Sequence, residues 1–193
     1  MARTDDSLAP RMATTQETKI KGALLFAIGN DGIDYLDLAK QSRDRIRRYL
    51  ELPVAVVTDQ PVADNDFDHV CRITTDHDGS QRWFDDLGVS VPWQNRDRCM
   101  AYDLTPWDHT LLLDVDYVIN SDFLCSIMST DRDFQCYRHS VAVGSEILQP
   151  TFGDNNFPMW WATVIAFRKS AQAQWIFESM QMIRDNWRHY RDL

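Results

Sequence analysis

Asp114 and Asp116 sit one residue apart at the end of the apolar run Leu111-Leu112-Leu113, and Tyr117-Val118-Ile119 follows them. In an extended segment successive side chains point to opposite faces, so two carboxylates spaced this way face the same side. Like charges so placed repel unless a positive group lies between them. A divalent cation meets that need: Mg2+ takes one or two protein carboxylates and completes its shell with water and substrate phosphates. The pair therefore predicts a metal–diphosphate site, with Mn2+ or Mg2+ as cofactor. Two further strand ends carry suitable groups. Gly29-Asn30-Asp31 and Thr58-Asp59 each close an apolar run and together predict a polar notch for a base and a ribose.

These groups need strands and helices to position them. Residues 22–28 form an unbroken apolar run of strand length, the pattern of a strand buried on both faces. The run stops at Gly29-Asn30-Asp31-Gly32, a turn signal. Tyr35–Leu50 then reads as a helix, with Leu36, Ala39, Ile46 and Leu50 on one face and arginines on the other. Residues 53–59 repeat the buried-strand pattern, which completes a β-α-β unit with a right-handed crossover. A short strand is expected at 69–73, a polar loop with a short helix at 74–94, and a helix at 95–104. Two more strands are expected at 137–143 and 159–167. The last helix shows Ala173, Ile176, Met180, Ile183 and Trp187 at steps of three and four, predicted to be its buried face. This alternation implies an α/β fold with a mostly parallel sheet flanked by helices, and ligands in such sheets bind at the carboxyl ends of the strands.

Composition narrows the field. At 193 residues the chain predicts a single domain over 20–193, after a polar, disordered lead-in at 1–19. The lead-in lacks the apolar core of a signal peptide and no run reaches the length of a membrane span, so cytoplasmic localisation is expected. The cysteines Cys71, Cys99, Cys125 and Cys136 are widely spaced, which excludes a zinc-ribbon or disulfide framework and predicts reduced core residues. The histidines form no ligand-spaced pair. A net charge of −9 disfavours, without excluding, a nucleic-acid partner, because such binding rests on Lys and Arg neutralising phosphates. The cluster Arg43, Arg45, Arg47 and Arg48 reads as the wet face of the first helix.

The order of these features resembles the GT-A glycosyltransferases, the nucleotide-diphospho-sugar transferases, in their glycogenin-like and related branches. The likeness rests on the apolar first strand with its polar turn, on Val57-Thr58-Asp59, and on the block from Arg96 to Asp122. In that block a basic residue, Arg98 or Arg96 in its place, precedes Leu104-Thr105-Pro106-Trp107-Asp108 and the strand that delivers the two aspartates. Downstream, Phe157-Pro158-Met159-Trp160-Trp161 and Arg168-Lys169-Ser170 are similar to the segment that lines the sugar pocket. The resemblance implies a Rossmann-like GT-A fold and a metal-dependent transfer of a hexosyl or pentosyl group from a nucleotide-sugar donor to an acceptor hydroxyl. It gives Asp116 the metal directly and Asp114 the ribose or the metal through water. It implies that Arg98 contacts the diphosphate or sugar, and that Asn30, Asp31, Thr58 and Asp59 hold the nucleoside. Trp160 or Trp161 would stack on a sugar, and Asp154 or Glu146 would activate the acceptor. The acceptor itself is open: a glycan, a protein, a small molecule or a modified DNA base. The chain departs from the family at Trp161-Ala162-Thr163, where glycogenin-like members carry asparagine and glycine, and the domain reads as short at its C-terminus.

Three rivals use similar parts. A haloacid-dehalogenase phosphatase has an Asp-x-Asp after a strand, but near the chain start and closely followed by threonine. A nucleotidyltransferase on the same sheet and metal would add a glycine-rich basic loop after the first strand. The non-enzyme alternative is a catalytically inactive GT-A-like scaffold that binds a glycan or a partner.

Overall fold

Along residues 22–28, Ala23, Leu25 and Ala27 pack into one core while Leu24 and Phe26 pack into another. That division is what a strand covered by helices on both faces requires. The structure is a computed structural model that describes residues 20–29, 32–63, 65–75, 81–84, 89–92, 96–137, 151–152, 157–158 and 160–191. The strands are β1 (Lys21–Phe26), β2 (Val54–Thr58), β3 (His69–Arg72), β4 (Gln81–Phe84), β5 (Val89–Pro92), β6 (His109–Leu113), β7 (Phe134–Tyr137), β8 (Thr151–Phe152), β9 (Phe157–Pro158) and β10 (Trp161–Arg168). The helices are α1 (Tyr35–Leu50), α2 (Ala101–Leu104), α3 (Cys125–Met128), α4 (Ala171–Asp185) and α5 (Trp187–Arg191), and a 3-10 helix, Arg96–Met100, runs into α2.

Six strands form the main sheet in the order β3-β2-β1-β6-β10-β7. The pairs β3-β2, β2-β1 and β1-β6 are parallel, and β10 runs antiparallel to both β6 and β7. The sheet is therefore mixed, with a parallel block extended by an antiparallel pair. The chain steps outward from β1 through β2 to β3 and then returns to place β6 on the other side of β1. That reversal is a topological switch point, where parallel α/β sheets open a crevice at their carboxyl ends.

One core joins the sheet to α1 through Ala39, Ile46 and Leu50, and also takes in Leu124 and Met128 at α3. The other joins it to α2 and α4 through Ala101, Ala173 and Phe177. Asp34 caps α1 by accepting from the Asp37 N–H at 2.9 Å, and Ser170 caps α4 by accepting from the Ala173 N–H at 3.2 Å. Each cap satisfies an N–H that has no partner within the helix. Among the described residues no helix is long and apolar enough to cross a membrane.

Four expectations need correction. The segment expected as a loop with a short helix contains the antiparallel pair β4–β5 instead. The strand expected to start at Tyr137 starts earlier, at Phe134, and residues 138–143 of that expectation fall outside the described residues. Gln135 breaks the apolar pattern of β7, and its amide is satisfied by the Ile127 carbonyl at 3.2 Å and the Thr130 hydroxyl at 2.7 Å. In α4 the buried residues are Ala173 and Phe177, whereas Ile183, expected to be buried, is 38% exposed. Phe177 joins an aromatic cluster with Phe167, Tyr102 and Phe134, at ring separations of 4.6, 6.1 and 5.9 Å, and with Ala173 and Met180 it keeps the 3-4 spacing on a face turned toward those rings. Finally, all four cysteines are free, but Cys125 is exposed and not part of a core.

Candidate functional site

Strand β6 ends at Leu113, before the two aspartates, because the chain turns there. The Asp114 N–H donates to the Thr163 carbonyl at 3.1 Å, and the Tyr117 N–H closes the turn on the Asp114 carbonyl at 3.1 Å. Asp114 and Asp116 thus leave a tight turn rather than an extended strand, yet both line one open cleft. The cleft lies at the carboxyl ends of β1 and β6, the switch point. Phe26, Leu113 and Tyr35 add apolar and aromatic surface to its lining, and Arg98 adds the positive charge.

Arg98 comes from the 3-10 helix and forms an ion pair with the Asp114 carboxylate. The guanidinium side chain is 13% exposed and the carboxylate 23%. Burial pushes the Asp114 carboxyl above the usual carboxylate range, helped by the like charge of Asp116 and opposed by Arg98 and the Thr163 side chain. Burial also lowers the Arg98 guanidinium from its ordinary value, against the pull of Asp114 and Asp116. An arginine stays charged in proteins all the same. Both shifts run toward neutrality, so desolvation outweighs the mutual attraction of the pair. The other two nitrogens of this guanidinium, Arg98 Nε and Nη2, are buried with no hydrogen-bond partner among the described residues. Leaving buried donors unmade costs about 1–3 kcal/mol each, more for charged groups.

Asp116 is exposed. Its carboxylate makes no hydrogen bond or ion pair with any described residue. The site therefore has unused donors on its basic side and an unused carboxylate on its acidic side. No group of three or more His, Cys, Asp or Glu side chains among the described residues could hold a metal. The two aspartates fit a hard cation that draws its other ligands from water and phosphate oxygens, and the unmade Arg98 N–H groups fit an anion beside it.

The other candidate residues are distributed as follows. Asp59 is half-buried and accepts from the Gly29 N–H and the Thr75 hydroxyl, each at 2.8 Å, which ties the end of β2 to the end of β1. Thr58, expected at the nucleoside, is fully buried. Its hydroxyl donates to the Ala27 carbonyl at 2.6 Å and accepts from the Gln60 N–H at 3.1 Å, so it joins the two strand ends and has no surface for a ligand. Arg98, not Arg96, is the arginine paired with Asp114. Trp161 takes part in β10 by its backbone, while its side chain lies outside the described residues, and Trp160 is exposed. Asn30, Asp31, Glu146 and Asp154 also lie outside the described residues.

Sequence reasoning missed the residues that hold these groups in place. The Gln181 amide donates to the Cys99 carbonyl at 3.2 Å and to the Asp103 carboxylate at 2.9 Å, and Arg184 reaches Asp97 at 3.4 Å. These contacts tie α4 to the turn that bears Arg98. Ser42 of α1 donates to the Val115 carbonyl, between the two aspartates, at 2.6 Å. The one signal for Ser42 was its place on the apolar stripe of α1, three residues after Ala39 and four before Ile46.

No protein-family model matches the chain, and no curated protein matches it. Solved structures do. The glycosyltransferase GlyE of Streptococcus pneumoniae aligns over 85% of this chain and 37% of its own, at 15% identity and a TM-score of 0.50. The galactosyltransferase LgtC, solved with donor and acceptor sugar analogues, aligns over 88% of this chain and 65% of its own, at 14% identity and a TM-score of 0.55. An active-site mutant of LgtC aligns over 79% and 59%, at 14% identity and a TM-score of 0.51. The chain spans between about two fifths and two thirds of these proteins. The likeness establishes the fold: a mixed six-stranded sheet between helices, as in these GT-A glycosyltransferases.

Proposed function

We propose that this GT-A-fold chain is a glycosyltransferase that moves a hexosyl or pentosyl group from a nucleotide-diphosphate sugar to an acceptor hydroxyl. The observation that carries the reading is the charge arrangement at the switch point, with the unmade N–H groups of Arg98 beside the exposed carboxylate of Asp116. A bound Mn2+ or Mg2+ neutralises charge on the diphosphate leaving group. Asp116, with Asp114 beside it, is the residue to hold the cation. Asp114 also orients the Arg98 guanidinium, whose free Nε and Nη2 groups donate charge-assisted hydrogen bonds to the diphosphate. Phe26, Leu113 and Tyr35 exclude water from that side of the cleft, which strengthens each of these interactions. Asp59, Asn30 and Asp31 are the proposed nucleoside contacts, Trp161 the sugar contact, and Asp154 or Glu146 the groups that take the acceptor proton.

Thermal unfolding with Mn2+ and each of ADP, CDP, GDP and UDP tests this, on the wild type and on Asp116→Ala. A ligand that binds only the folded state stabilises it by about 2.7 kcal/mol at a hundredfold excess over its dissociation constant. A metal-dependent rise with one nucleotide, absent in Asp116→Ala, is the expected result. No rise with any of the four would sink the proposal.

A further inference from the structure

We propose that Ser42 is a positioning residue of the cation–diphosphate site and acts through the peptide between the two aspartates; the inference rests on the donor-site reading above. Ser42 is 5% exposed on the buried face of α1, whose other fully packed positions, Ala39, Ile46 and Leu50, are apolar. An alanine would pack there with better helix propensity. A serine hydroxyl inside a helix usually bonds back to a carbonyl of its own preceding turn. Here it reaches across 73 positions of sequence and donates to the Val115 carbonyl at 2.6 Å.

The partner is what gives this bond its consequence. The Val115 carbonyl and the Asp116 N–H belong to one planar peptide unit. Holding that carbonyl fixes the plane of the unit, and so the direction in which the Asp116 side chain leaves the turn. The other ties of the turn act on either side of this peptide. Asp114 is held by the Thr163 carbonyl and by the Tyr117 N–H, and Arg45, also on α1, donates to the Ile119 carbonyl at 3.2 Å. Among the described residues Ser42 alone donates to the Val115 carbonyl. Asp116 is exposed and has no hydrogen bond or ion pair with a described residue, so among the described residues the backbone beneath it sets its position.

Calorimetric titration of wild type, Ser42→Ala and Ile46→Val tests this. Each is titrated with the best nucleoside diphosphate of the four, with and without Mn2+, at a temperature where all are folded. Residues that orient a metal ligand from behind typically alter metal affinity by about tenfold or more. Ser42→Ala is expected to lose about tenfold in the Mn2+-dependent binding while its metal-free nucleotide binding stays at the wild-type level. Ile46→Val removes a methyl group from the same helix face without touching the turn, and is expected to bind as wild type does. Should the alanine variant fail to fold, Ser42→Cys keeps the volume with a weaker donor and is expected to show the same ordering. Equal losses with and without metal, or no loss in Ser42→Ala when wild type binds, would overturn this inference alone. Wild type that binds none of the four nucleotides would overturn the donor-site reading and this inference together.

Discussion

The two faces of the sheet are built from different materials. Toward α1 the core rests mainly on aliphatic side chains at regular helix and strand spacing, Leu25, Val54, Val56, Leu111 and Ile46 among them, with Phe67 as its buried ring and tyrosines at its margin. Toward α4 it rests on rings, with Phe26, Phe167 and Phe177 packed by Tyr102, Trp107 and Phe134. Each face also controls one side of the proposed site. The aliphatic face holds the acidic turn through the backbone bond from Ser42. The aromatic face holds the basic turn, since Tyr102 lies in α2, directly after the 3-10 helix that carries Arg98. Aliphatic packing tolerates small changes in shape, whereas a ring cluster concentrates its energy in a few side chains. The basic side should therefore be the more fragile.

The largest effect that follows is at Phe177. It is 1% exposed and touches three other rings. Phe177→Ala is expected to cost about 3–5 kcal/mol in denaturant unfolding, against about 0.5–1.5 kcal/mol for Ile46→Val on the opposite face. A loss of about 1 kcal/mol or less for Phe177→Ala would mean that the ring cluster does not hold that face.

Gly22 comes next, and it shows how tightly the aromatic face is fitted. A Cβ at this position would stand 2.4 Å from Trp107 Cε2, inside any allowed contact. The missing side chain lets the indole lie against β1, where its N–H donates to the Ala23 carbonyl at 3.1 Å. Gly22→Ala must push the ring aside, an overpacking that costs about 1–3 kcal/mol, and the displaced indole should change its fluorescence in the folded state. A variant of wild-type stability and unchanged emission would mean that Trp107 is not seated there.

The same contrast explains what could be read in the sequence. β1, β2, α1 and β6 were legible because continuous apolar runs and a regular helical stripe have few alternative explanations. The acidic pair was legible as a charged break after a buried strand, and Arg98 only through the family resemblance. Their geometry was not, since the strand ends one residue early and a turn, not strand alternation, brings the aspartates to one cleft. On the aromatic face periodicity misled. The 173-176-180-183-187 stripe of α4 is as regular as the stripe of α1, but the buried face is turned from it toward 173-177-180, which buries Phe177 and leaves Ile183 exposed. Thr58 read as a ligand group because polar residues at strand ends often are. Its hydroxyl instead closes a backbone acceptor, a use that only the fold reveals. Ser42 was invisible for the opposite reason, since a serine in an apolar stripe reads as a gap.

Polar ties from α4 to the basic turn should matter less than the rings do. Arg184 pairs with Asp97 at 3.4 Å and with Asp185 at 2.8 Å. Its side chain is 21% exposed and that of Asp97, its partner at the basic turn, 14%, so this tie is largely shielded from solvent, and a hydrogen bond to a charged group contributes about 1.5–3 kcal/mol. Arg184→Met keeps most of the aliphatic stem and should lose about 1.5–3 kcal/mol, a loss that salt changes little because the pair is mostly buried. A loss as large as that of Phe177→Ala would shift control of the Arg98 turn from packing to charge.

The smallest expected effect is also the strictest test of the buried face of α4. Trp175 lies two residues before Phe177 and is 67% exposed, and Met182 is 48% exposed. Trp175 thus carries a large apolar surface that the folded chain leaves open to solvent. Burial stabilises only where water is removed, so Trp175→Gln is expected to change unfolding stability by no more than about 0.5 kcal/mol. The same experiment on Phe177 predicts several times that loss, although the two residues share a helix, an aromatic ring and nearly the same place in the sequence. If Trp175→Gln destabilises by more than about 1 kcal/mol, the ring is covered in solution and the helix is turned from the orientation described. If it does not, Trp175 adds nothing to folding, and the helix is held from its sheet-facing side, by Phe177 and its neighbouring rings foremost.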